Sequence, residues 1–139
     1  MHAFTFCTSL TMVALWSAAS PLADEKVNPI EKEIKASLKD PTKPFVLHIH
    51  FKVKEGAGAK MEEAFAKARK ITRKEKGNLS YNLTRSATIA NEYVIYERWE
   101  NFAAMQEHMK APHTVALLKA AGEMLDGAPQ VKVYIPTRE

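Results

Sequence analysis

The stretch from Phe45 to Lys54 constrains this chain more than any other. Phe45, Leu47, Ile49, Phe51 and Val53 alternate with Val46, His48, His50, Lys52 and Lys54. A period of two marks a β-strand with two chemically different faces. One face is wholly apolar and has to be covered. The other mixes valine and lysine with two histidines, too polar for a dry core and too apolar for bulk water. A fold built around this strand must bury the first face against helices and find a separate, half-polar cover for the second.

The flanking pattern supplies both elements. Glu55-Gly56-Ala57-Gly58 turns the chain into a helix expected from about Ala59 to Lys76. Its apolar face is Met61, Ala64, Phe65, Ala68 and Ile71, and Gly77 closes it. A second strand sets Leu79, Tyr81 and Leu83 against Ser80, Asn82 and Thr84, and the polar loop Ser86–Asn91 leads to a third, Glu92–Glu100. A helical region then runs from about Asn101 towards Leu125, broken or kinked at Pro112. Asp126-Gly127-Ala128-Pro129 turns into a last strand, Val131–Pro136. The order β-α-β-β-α-β predicts an α+β, ferredoxin-like antiparallel sheet with two helices on one face. Pairing two such sheets face to face would cover the half-polar side, so the expected assembly is a homodimeric α/β barrel enclosing a cavity.

The ends and the composition narrow the setting. Residues 1–23 carry no Lys, Arg, Asp or Glu and hold an apolar centre from Phe4 to Trp16, followed by small residues and a proline. This reads as a signal peptide cleaved near Ala19 or after Ala23, which places the protein in the periplasm or outside the cell. The apolar run is shorter than the roughly 20 residues that span a bilayer, so no stable membrane insertion of the remaining chain is expected. Cys7, the single cysteine, leaves with this segment, so neither a disulfide nor a thiol nucleophile is expected afterwards. Residues 24–44 form a charged lead-in. Asn28-Pro29 starts a short helix to about Lys39, with Ile30, Ile34 and Leu38 as its apolar stripe, expected to lie outside the core fold. Residues 45–139 are the domain proper. The net charge of +4 is spread as interleaved Lys and Glu, as in Lys74-Glu75-Lys76. That pattern reads as solvated surface and gives no footprint for nucleic acid.

The segment from Tyr93 to Leu118 is the most specific. A strand ends on Trp99-Glu100, and the helix after it carries Met105 and His108, followed by Ala111-Pro112-His113. This block resembles the signature of the antibiotic biosynthesis monooxygenase family, in particular its quinol-monooxygenase-like branch. The resemblance implies a dimeric barrel and a monooxygenase that oxidises a quinol or related phenolic aromatic with O2, without metal or flavin. His108 and His113 are then the expected proton acceptors. Trp99 and Tyr96 would sandwich the aromatic ring, with His48, His50 and Asn82 completing the pocket. Haem-degrading relatives use an Asn, a Trp and a His. Aligned on Trp99, those positions fall near Ile49 and on His108 and Leu118, so haem oxygenation of that type is disfavoured.

Two other readings stay open. One is a non-catalytic dimeric barrel that binds a small aromatic or lipophilic ligand. The other is a metal site built on His48 and His50, with His108 or Glu97 as third ligand. With Glu55 these histidines give His-x-His-x4-Glu, similar to a cupin metal motif, but its glycines are absent and a long helix follows at once. No dinucleotide fingerprint, Walker loop, nucleophile elbow or His-Glu-x-x-His is present.

Overall fold

A computed structural model describes residues 28–137. The elements are α1 (Pro29–Ser37), β1 (Phe45–Lys52), α2 (Gly58–Thr72), β2 (Asn78–Arg85), β3 (Glu92–Trp99), α3 (Phe102–Lys110), α4 (Pro112–Met124) and β4 (Gln130–Tyr134). The strands form one antiparallel sheet in the order β2-β3-β1-β4, the ferredoxin-like arrangement expected from the element order. No helix among the described residues is long and apolar enough to cross a membrane.

Register decides which side chains share a face. Val133, Leu47, Glu97 and Tyr81 form one row across the sheet, and Val131, Ile49, Ile95 and Leu83 the next. Both rows lie under the helices, where Phe45, Leu47, Phe65, Tyr81, Trp99, Phe102, Met105 and Leu117 make the main core. The opposite face carries the rows Lys132–His48–Tyr96–Asn82 and Gln130–His50–Val94–Thr84. His48 leans on Tyr96 and Tyr134, with ring centroids 5.4 and 4.7 Å away. No element among the described residues covers this face, and its central residues are half-buried.

Local chemistry sets the boundaries, and three features differ from the sequence expectation. First, α1 begins as expected, with Asn28 Oδ1 accepting from the Ile30 amide at 3.0 Å and Pro29 in the first turn. It does not lie outside the fold, because Ile34 and Leu38 are buried members of the main core. Second, α2 stops at Thr72, four residues early, and the chain passes through tight turns to Gly77. Gly77 has φ +83°, and a Cβ there would sit 2.5 Å from the Ala104 Cβ, so both conformation and packing require glycine. Third, a bulge between Asn78 and Ser80 puts Leu79 out of register. Instead of joining Tyr81 and Leu83 it is 51% exposed. The helical region breaks at Pro112, as the sequence allowed: Pro112 holds Ala111 extended at ψ 139°, which ends α3 and starts α4 in a new direction.

The docking of α1 generates a stability prediction. Ile34→Ala should cost about 2 kcal/mol in urea unfolding, the low end for a buried large-to-small change because the side chain already borders a void. A cost near zero would mean that α1 does not pack in solution.

Candidate functional site

Between the sheet and the helices lies a cavity of about 120 Å³. Its walls are aliphatic and aromatic, from Leu47, Ile49 and Phe51 of β1, Met61 and Phe65 of α2, and Leu117 of α4. Ile30 and Ile34 of α1 close one side. The polar groups lining it are few: Glu97, His108, Tyr81 and Thr114.

Glu97 and Trp99 are two apart on β3, so both point under the helices. Glu97 is buried, and its Oε2 accepts from Trp99 Nε1 at 2.8 Å. Burial raises its carboxyl to about 7, the Trp99 hydrogen bond pulls it down, and the nearby Glu75 charge pushes it up further. Tyr81 is also held well above the usual phenol range, by burial and by the charges of Glu97 and Glu75.

His108 comes from the last turn of α3 and is 3% exposed. Its Nδ1 lies 2.7 Å from Glu75 Oε2, and Thr114 Oγ1 sits 3.1 Å from the same nitrogen. Its ring rests on Trp99 at 4.8 Å and meets Tyr81 edge-on at 5.3 Å. Burial pushes its pKa below the ordinary histidine value, partly offset by Glu75. The neutral ring donates Nδ1–H to the carboxylate, which leaves Nε2 as an acceptor. His113, at the start of α4, brings Nε2 to 3.1 Å from Glu75 Oε1, off the angle of a hydrogen bond and with no other partner among the described residues. It faces the groove between α2 and α4 rather than the cavity.

The sequence-predicted residues therefore divide. His108 lines the cavity, and His113 reaches it only through Glu75. Trp99 is fully buried behind Glu97 and His108 and does not line the cavity wall. Tyr96, His48, His50 and Asn82 lie on the opposite face of the sheet, where Asn82 accepts from Arg73 Nη2 and donates to Ser80 Oγ. Trp99 and Tyr96 cannot sandwich one ring, because odd and even residues of a strand project to opposite sides. The same parity keeps His108 and Glu97 from completing a metal site with His48 and His50. Sequence reasoning missed Glu75, placed in a solvated charge run yet only 20% exposed and touching two histidines. The early stop of α2 is what turns it inward.

The buried carboxylic acid makes a testable pH signature. Its folded pKa of about 7 lies above the ordinary carboxyl value, so the folded state binds this proton more tightly than the unfolded chain does. The associated stability is present at acidic pH and is lost as pH rises through about 7, by roughly 3 kcal/mol in all. Urea unfolding across this window should show that loss in the wild type and not in Glu97→Gln, which keeps an acceptor for Trp99 but cannot ionise. Parallel profiles for the two proteins would mean that Glu97 does not titrate there.

Residues 44–120 match the profile of the antibiotic biosynthesis monooxygenase family. Solved structures agree in fold. Rv0793 from Mycobacterium tuberculosis is 29% identical, with a TM-score of 0.65 over 70% of this chain and 98% of that one. A candidate antibiotic biosynthesis monooxygenase from Caulobacter crescentus CB15 is 25% identical, with a TM-score of 0.66 over 71% of this chain and 94% of that one. A further candidate of the same description from Nitrosomonas europaea has a TM-score of 0.67 at 17% identity, covering 72% and 96% of the two chains, and speaks for the fold alone. No functionally curated protein matches the chain.

Proposed function

Because the chain belongs to the antibiotic biosynthesis monooxygenase family, we propose that it uses O2 to oxidise a quinol or related phenol of one aromatic ring, with neither metal nor flavin. The observation that carries this reading is the apolar cavity with Glu97 and His108 among its few polar groups. An engineered apolar cavity of about 150 Å³ takes up benzene, so this one is of single-ring size.

The chemistry follows from the groups present. A phenolic hydroxyl seated beside His108 gives its proton to Nε2, and Glu75 on Nδ1–H orients the ring and stabilises the imidazolium. The phenolate is electron-rich enough to pass an electron to O2, and the apolar walls hold the radical pair together and away from water. Collapse forms the carbon–oxygen bond and the O–O bond then breaks. One oxygen stays on the ring and the other leaves as water. The substrate supplies all four electrons, its product being a hydroxylated quinone, so no external reductant is needed. Glu97, titrating near neutrality, is a second proton acceptor lining the same cavity.

The uncovered sheet face supports a homodimer in which two copies pack sheet on sheet, enclosing Tyr96, His48 and His50. Residues 1–23 support export to the periplasm or beyond. Light scattering should give a dimer that Tyr96→Asp converts to monomer, since a charge facing its own copy across the axis repels. A wild-type monomer at micromolar concentration would remove the barrel from this reading.

For activity, metal- and flavin-free protein should consume O2 with substituted hydroquinones and catechols faster than buffer does, and should not turn over tricyclic anthrones. His108→Ala should lower kcat by roughly 10²–10⁴-fold with circular dichroism unchanged. Binding of a hydroquinone without oxidation would replace this reading with that of a ligand-binding barrel. Activity surviving in His108→Ala would keep the enzyme and discard the base.

A further inference from the structure

Three segments far apart in sequence converge beside the cavity: the turn after α2, the end of α3 and the start of α4. Their donors are Glu75, His108 and His113, whose ligand atoms all lie within 4.8 Å of one another. The break at Ala111–Pro112 makes this possible. On one continuous helix, residues five apart would point about 140° from each other. Here the two imidazole rings come to 5.7 Å.

The geometry points to a binding site for one divalent transition-metal ion at Glu75, His108 and His113, with Zn2+ as the reference ligand. The donor set carries the choice. Two imidazole nitrogens and a carboxylate are a zinc set, and an open fourth position remains for water. Two nitrogens among three donors disfavour Ca2+ and Mg2+, which take oxygen. The spacing is close to what is needed. Bonds of roughly 2.0–2.1 Å in a tetrahedron set donors about 3.3 Å apart. Glu75 Oε2 is now 2.7 Å from His108 Nδ1, and Glu75 Oε1 is 3.1 Å from His113 Nε2. Ligand atoms within 4.8 Å of one another have to close by about 1.5 Å at most to reach that spacing. His113 Nε2 is buried without an aligned hydrogen bond, so ligation gives it a partner it lacks among the described residues.

The surroundings suit the ion. Thr114 Oγ1, 3.1 Å from His108 Nδ1, is placed to hydrogen-bond a metal-bound water, the outer-shell support such sites use. A surface hollow lined by Glu75, Lys76, Glu100, Glu107 and His108 gives an entry path on which three carboxylates outnumber one ammonium. The site also reaches into the proposed chemistry without resting on it. A metal on His108 Nδ1 moves the ring proton to Nε2, turning that nitrogen from an acceptor into a donor. Metal loading and proton acceptance therefore exclude each other.

The test uses the full chain, stripped with chelator and titrated with Zn2+ by calorimetry and with Co2+ by visible absorption. The expected result is one ion per chain and a Co2+ spectrum of tetrahedral intensity. His113→Ala and Glu75→Gln, both at partly exposed positions, should each weaken binding by more than the roughly 10–100-fold that an outer-shell partner is worth. A His48→Ala, His50→Ala double variant should bind as the wild type does. Wild type that takes up no stoichiometric ion in molar excess of Zn2+ would overturn the site and leave a hydrogen-bonded network. Loss of binding in the double variant alone would overturn it too, placing the ion on the open sheet face. Neither readout involves turnover, so the outcome stands apart from the monooxygenase reading.

Discussion

A four-stranded sheet has two faces, and the helices among the described residues cover one. The rest of the architecture follows from that inequality. Phe45, Leu47, Ile49 and Phe51 draw α2, α3, α4 and α1 onto one side, where burial of large apolar side chains is the main favourable term. The other side keeps His48, His50 and Tyr96 in a half-polar state that their own contacts only partly shield. Such a face suits a second copy of itself, and self-pairing also gives both sheets a cover of matching polarity.

On the covered side, the difficulty is chemical rather than geometric. Removing a carboxyl and an imidazole from water is costly unless each finds partners. Glu97 finds one in the Trp99 indole and answers the remaining cost by holding its proton near neutrality. His108 stays neutral by burial and gives its one N–H to Glu75. The same solution leaves an apolar chamber with proton-exchanging groups in its lining, which is what deprotonating a phenol without a cofactor demands. Trp99 serves this arrangement from behind the wall, fixing both groups by hydrogen bond and ring contact.

Much of this was legible in order. Strict alternation over Phe45–Lys54 and the Pro112 break are local signals, and local signals survive folding when packing agrees with them. His108 and Trp99 were visible for another reason, through the resemblance of their strand-then-helix block to a known family. Glu75 was not. Its neighbours Lys74 and Lys76 look like exposed helix, and only the clash a Cβ at Gly77 would make with Ala104 shows why the chain turns there. Leu79 was misplaced by a bulge, which inserts one residue and reverses the face that parity assigns.

By itself, then, the sequence determined element order, sheet class and, outside the bulge at Leu79, which residues of each strand share a side, because hydrophobic period and proline or glycine breaks act over a few residues. The tertiary structure alone decided that α1 closes the cavity and that Glu75 joins His108 to His113. Each of those is a contact between segments tens of residues apart. Such contacts depend on register and on where a helix stops, and no local period encodes either.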